Sequence, residues 1–253
     1  MAMPQKGDQV RATTYMMISL VLAGVVASGC GGGGRRVMQN GEELSINQDK
    51  FLKAVELQRK EDYFKALKAW DEVLTDEPRY GLAHFNKALC YDRINYVTEA
   101  MGEYEQARKY DPKNSIILMN LGEVYLRADN RLASALDALR EAAEIDPYRP
   151  GIHFNLSAAY MRAREWDKAL THSDIAVDLV AVPSKTSENG LDKSVDLRQL
   201  AVYLMRQAEC HIERGEMDKA KACLDRIEKQ CHETVPVKLS ARITDAAAAA
   251  PKE

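Results

Sequence analysis

Residues 81–114 read GLAHFNKALCYDRINYVTEAMGEYEQARKYDPKN, and the stretch returns along the chain at nearly fixed spacing. Asn86-Lys87-Ala88-x-x-Tyr91 becomes Asn120-Leu121-Gly122-x-x-Tyr125 and then Asn155-Leu156-Ser157-x-x-Tyr160, in steps of 34 and 35 residues. A small residue follows each Tyr (Ala100, Ala135, Ala169), and the first two copies close on Asp111-Pro112 and Asp146-Pro147. Such a period marks one supersecondary unit stacked on itself, an array.

Degenerate copies flank the clear ones. Residues 47–80 keep Ala54, Leu57, Ala66, Trp70, Val73 and Pro78, and residues 201–234 keep Ala208, His211, Gly215, Ala220, Leu224 and Ile227. The copy at 115–149 carries one extra residue, assigned to the turn at 128–132, where an insertion disturbs least. The copy at 150–182 lacks the closing Asp-Pro. Five units therefore span 45–234, interrupted at 183–195 by a Pro/Ser/Gly-containing segment that reads as an exposed loop. Small residues such as Ala88 and Gly122 mark a close helix crossing, and Tyr91, Tyr104, Tyr125 and Leu139 fill the space beside it. Residues 235–253 read as a short capping helix over 237–244 and a frayed, disordered tail from 245.

The spacing and residue types resemble the tetratricopeptide repeat, a helix–turn–helix unit of roughly 34 residues. The resemblance implies an all-α, right-handed superhelical solenoid of antiparallel helix pairs. It also implies a partner groove lined by the first helix of each unit. Carried over by register, position 5 of the repeat is Phe51, Phe85, Met119, Phe154 and Met205, and position 13 is Arg59, Arg93, Arg127 and Arg162, then Glu213. The expected groove has an apolar floor beside an arginine ladder, suited to an extended peptide or a helix. Asn86, Asn120 and Asn155 have two readings, bonding a partner's backbone or satisfying their own repeat.

Before the repeats lies a different kind of sequence. Lys6 and Arg11 precede an apolar stretch at 15–26, too short for a membrane span, which needs roughly 20 residues. It suits a secretory signal over 1–29. Ala27-Ser28-Gly29-Cys30 resembles the lipobox of bacterial lipoproteins, which implies that Cys30 is lipidated and becomes the first mature residue. Residues 30–44, with Gly31 to Gly34, read as a flexible tether. The absence of Asp after Cys30 points to the outer membrane, facing the periplasm.

Composition narrows the chemistry. The 253 residues carry a net charge of −3 with 29% charged residues, which gives no reason to expect a nucleic-acid partner. None of the five histidines has a nucleophile at informative spacing; His84 and His153 share one early position of the first helix and read as packing. No His/Cys spacing suggests a metal, and Gly31–Gly34 lacks the context of a phosphate loop, so no cofactor, small-molecule substrate or enzyme activity is expected. Cys223 and Cys231 lie too far apart on one helix to bridge. A Cys210–Cys223 bridge is geometrically conceivable, and buried free thiols are the preferred reading.

The expected function is a lipid-anchored, non-enzymatic adaptor for a protein partner. The chain resembles repeat lipoproteins of type IV pilus biogenesis and of tight-adherence pilus loci, which implies help in pilus or secretin assembly. A scaffold or regulator that recruits a cell-wall hydrolase or synthase is the alternative.

Overall fold

The computed structural model describes residues 35–39, 41–181 and 196–249. The signal segment, Cys30, the loop at 183–195 and residues 250–253 lie outside the described residues. The chain divides into two compact units, Met1–Tyr110 and Asp111–Glu253.

In the first unit a hairpin of β1 (Arg35–Gln39) and β2 (Glu42–Ile46) precedes two antiparallel helix pairs. These are α1 (Gln48–Arg59) with α2 (Tyr63–Asp76), and α3 (Gly81–Arg93) with α4 (Val97–Tyr110). The second unit holds three more pairs. They are α5 (Ser115–Arg127) with α6 (Leu132–Ile145), α7 (Pro150–Arg162) with α8 (Trp166–Ala181), and α9 (Leu197–Glu213) with α10 (Met217–Arg226). A π-helical turn (Ile227–Cys231) continues α10, and α11 (Val237–Ala249) ends the described chain. The expected array of helix pairs is therefore what the chain forms.

Each pair closes on alanine. Ala54 with Ala66, Ala88 with Ala100, and Ala208 with Ala220 are all fully buried, as Ala135 and Ala169 are. At Gly122 the helices come closer still: a Cβ there would lie 2.5 Å from Leu139 Cγ. Helix starts are set by short polar side chains. Asn47, Asp62, Asn114 and Asp196 each accept a backbone N–H of their own helix's first turn.

The turns inside the pairs follow a rule that the repeat pattern did not disclose. Glu61, Asn95, Asn130, Arg164 and Gly215 all have positive φ, between 53° and 83° with the other such residues, one in each first-to-second helix turn. In four of them the residue after the left-handed one donates back five positions: Asp62 N to Leu57 O, Tyr96 to Tyr91, Glu165 to Tyr160 and Glu216 to His211. The turn at Asn130 departs because of the extra residue; α5 ends on an extended Ala128. The insertion thus falls inside the expected turn.

Three boundaries differ from expectation. Residues 35–44, read as flexible tether, are largely the hairpin, whose register pairs Val37 with Leu44 and Met38 with Glu43. Its inner face is apolar: Leu44 and Ile46 are 1% and 4% exposed and join one core with Phe51, Trp70, Val73 and Tyr80. A first repeat has no predecessor to cover its apolar side, and the hairpin does so instead. Gln39 fastens it, donating from Nε2 to Arg79 O (2.6 Å) and accepting the Gly81 N–H on Oε1 (2.8 Å). That second bond serves the start of α3, where Tyr80 offers no side-chain cap.

The fifth unit begins at Leu197 rather than 201, because Asp196 caps the helix there. The terminal helix runs to Ala249 instead of fraying from residue 245; an alanine run is the best helix former available. Its Leu239 and Ile243 are buried in the core of the last pair.

Candidate partner-binding face

The first helices of the pairs, α1, α3, α5, α7 and α9, carry every predicted partner residue. In the first unit the aromatic floor is turned inward. Phe51 is 4% exposed and meets Trp70 edge-on, with ring centres 5.3 Å apart. Phe85 is 8% exposed and lies 5.8 Å from Tyr104. Both fill slots beside large residues of the second helices, so they present little surface to a partner. Asn86 donates from Nδ2 to Leu82 O at 2.8 Å, four residues back in its own helix. Arg59 is exposed and Arg93 half-buried, the latter already engaged within the chain.

In the second unit the floor is more open. Met119 and Phe154 are half-buried. A Cβ at Gly151 would come within 3.1 Å of Met119 Sδ, so the thioether lies directly over the start of α7. Phe154 lies flat against Tyr203, with centres 4.7 Å apart and planes 18° apart. Asn120 repeats the bond of Asn86, donating to Ile116 O at 2.8 Å, and Asn155 is half-buried. Asn86 and Asn120 thus each place one amide N–H within their own repeat. Their second helix-facing amide proton and oxygen are the parts left for other partners.

The position-13 arginines of this unit, Arg127 and Arg162, are exposed. Arg127 has a partner within the chain, and Arg162 donates from Nη1 to the Leu126 carbonyl in the last turn of α5. That carbonyl has no acceptor role within its own helix, so position 13 ties one repeat to the end of the preceding first helix.

One residue of this face escaped the sequence reading. Arg206 stands in register with Asn86, Asn120 and Asn155, and its guanidinium lies 4.8 Å over the Phe154 ring. Its Nη1 meets Met161 Sδ at 3.7 Å and Glu209 only at 3.8 Å, and its buried Nε has no hydrogen-bond partner. The change from Asn to Arg at an otherwise repeated slot was the available signal.

Behind these faces lie polar clusters rather than reactive ones. Glu103 bonds His84 Nδ1 (2.7 Å) and Lys87 Nζ (2.6 Å), and Lys87 also reaches Asp71 (2.8 Å). Burial works against the Glu103 charge, but the bonds from His84 and Lys87 outweigh it and hold the carboxyl below its ordinary range. Cys90, Cys210, Cys223 and Cys231 are unbridged and buried. Burial pushes the Cys90 thiol up to about 12 and Cys223 to about 11, which makes them poor nucleophiles. Ser157, fully buried at a small-residue slot, pairs with the Cys210 thiol at 3.7 Å. Among the described residues no group of three or more His, Cys, Asp or Glu could hold a metal ion, and no helix is long and apolar enough to cross a membrane.

Family models described as tetratricopeptide repeat match residues 51–105, 97–150 and 203–231, together just over half the chain. The chain belongs to the tetratricopeptide repeat family. Among curated proteins, tetratricopeptide repeat protein 6 of Homo sapiens is 34% identical over 55 residues, 22% of this chain and 11% of that protein. Small glutamine-rich tetratricopeptide repeat-containing protein 2 of Mycosarcoma maydis is 25% identical over 118 residues, 47% of this chain and 32% of that protein. The chain thus spans no more than about a third of the length of either relative.

Solved structures agree on the fold. PilW, described as a widely conserved type IV pilus biogenesis factor, superposes with a TM-score of 0.63 at 18% identity, covering 80% of this chain and 87% of that one. PilF of Pseudomonas aeruginosa gives 0.60 at 17%, covering 79% and 86%. YrrB, a repeat protein with an unusual peptide-binding site, gives 0.59 at 16%, covering 78% and 91%. At these identities the likeness speaks for the tetratricopeptide fold alone.

Proposed function

We propose that the chain is a non-enzymatic adaptor that holds a peptide or helix of a protein partner on the first helices of its repeats. The observation that carries this reading is in the second unit, whose first helices hold Met119, Phe154 and Met161 half-buried and Arg127 and Arg162 exposed. Adaptable thioethers, an aromatic ring and guanidinium groups are the side chains that form energetic centres of interfaces. Phe51 and Phe85 support the fold of the first unit and act on a partner only indirectly, so the contact there falls to Arg59 and Arg93.

The reading extends to place and pathway. Cys30 behind an apolar segment supports a lipid anchor in the bacterial outer membrane with the repeats in the periplasm. Likeness in fold to PilW and PilF supports a part in pilus or secretin assembly.

Two linked experiments test it. Crosslinked partners recovered from membranes with the wild-type chain should be lost with Arg93→Glu/Arg127→Glu while helicity by circular dichroism stays unchanged; capture by the double variant would sink the face as drawn. Cys30→Ala should move the protein from the membrane to the soluble fraction, and unchanged fractionation would remove the anchor.

A further inference from the structure

His84 and His153 occupy one slot in two repeats and keep one bond in common. Each ring directs Nε2 at the carbonyl of a proline six residues earlier, Pro78 at 3.0 Å and Pro147 at 2.8 Å. A carbonyl can only accept, so both rings carry their proton on Nε2. The other nitrogen meets a different partner nineteen residues on. For His84 it is the Glu103 carboxylate, an acceptor for an N–H on Nδ1. For His153 it is His172, Nδ1 to Nδ1 at 3.1 Å.

That contact fixes the proton count. His153, with its proton on Nε2, presents a bare Nδ1, so His172 must donate from its own Nδ1. A single added proton is tolerated, because His172 can move its proton to Nε2 and become the acceptor. A second leaves two N–H groups facing each other across 3.1 Å, each on a charged ring. The groups packed nearest the pair are aromatic and cationic. Tyr160 of α7 lies flat on His172 with ring centres 5.4 Å apart. Arg140 of α6 donates to the Tyr160 hydroxyl at 3.2 Å. Lys168 of α8, paired with Glu165, sits 5.4 Å from the Tyr160 ring centre. From α9, Gln207 reaches α8 at Asp174, a neighbouring turn, with a 2.7 Å bond.

We propose that the His153–His172 pair is an acid-sensitive latch between α7 and α8, closed with at most one added proton and forced apart when both rings are charged. It lies directly behind Phe154 and Asn155, so opening it loosens the partner-facing helix of the fourth repeat. The second repeat, closed by His84 and Glu103, stays shut. Burial, and then the charge of His153, lower the His172 pKa from 6.5 to about 4 in the folded chain. The opened segment therefore binds more protons than the closed one between those values, and the closed state loses stability as pH falls from 6.5 toward 4.

Hydrogen exchange of the full chain, read peptide by peptide by mass spectrometry and corrected for intrinsic rates, tests the latch. From pH 7 to about pH 4.5 protection across α7 and α8 should fall by roughly tenfold or more, while α3 and α4 hold. His172→Glu recreates the His84–Glu103 pair and should abolish the fall; His172→Gln, which cannot charge, should do the same and serves if the first variant does not fold. Equal acid responses in α3–α4 and α7–α8, or an acid response that survives in the folded variant, would overturn the proposal.

Discussion

At the scale of single residues, the left-handed turn positions are where this chain departs from what its backbone would prefer. Arg164 has φ 59° and Gly215 has φ 75° at equivalent turns, and only the second is glycine. A side chain in this region costs about 1–2 kcal/mol, partly offset in a glycine variant by the extra freedom of the unfolded chain. Arg164→Gly should therefore raise the urea midpoint by the equivalent of about 0.5 kcal/mol, and Gly215→Ala should lower it by about 1 kcal/mol or more. Open space surrounds Gly215, so crowding contributes nothing to that loss. Opposite signs from the two substitutions are the result that matters; two losses would show the Arg164 side chain to be stabilising in its own right.

At the scale of elements, the helix crossing at Gly122 leaves no room for a side chain. Leu139 already occupies the volume a Cβ would need, so Gly122→Leu should destabilise by at least about 1–3 kcal/mol in thermal or urea unfolding. Gly122→Ala should lose less, and adding Leu139→Ala should recover part of that loss, a coupling that residues out of contact would not show. This crossing was legible in the sequence because it is a local steric requirement, repeated at Ala88 and Ser157. The extra turn residue was legible because a turn is where an insertion disturbs least. The hairpin was not, although Asn40-Gly41 between Val37 and the alternating Leu44 and Ile46 is a recognised turn signal. The run of glycines just before it suggested a tether, and five-residue strands give too few alternations to overrule that. The partner face was only half legible. Register placed Phe51 and Phe85 on the correct helices, but whether a ring turns inward depends on Trp70 and Tyr104, which lie on the neighbouring helix.

At the scale of the whole molecule, the two termini of the described array are closed by elements that are not repeats, the hairpin before α1 and α11 after the last pair. Stability in such an array is a sum of nearest-neighbour terms, so an end left open is weak and also adhesive. Deleting residues 31–46 would expose the side of α1 and α2 now covered by Leu44 and Ile46. The shortened chain should become concentration-dependent in mass by light scattering, while the full chain keeps one mass; equal masses would assign the hairpin a purely local role. An uncovered apolar side on a repeat is a surface that another copy can meet head to tail, and such contacts propagate into open fibres unless they close a ring. Ten residues of strand, pinned by Gln39, cover that side of the first unit and so remove the apolar surface on which the next copy would dock.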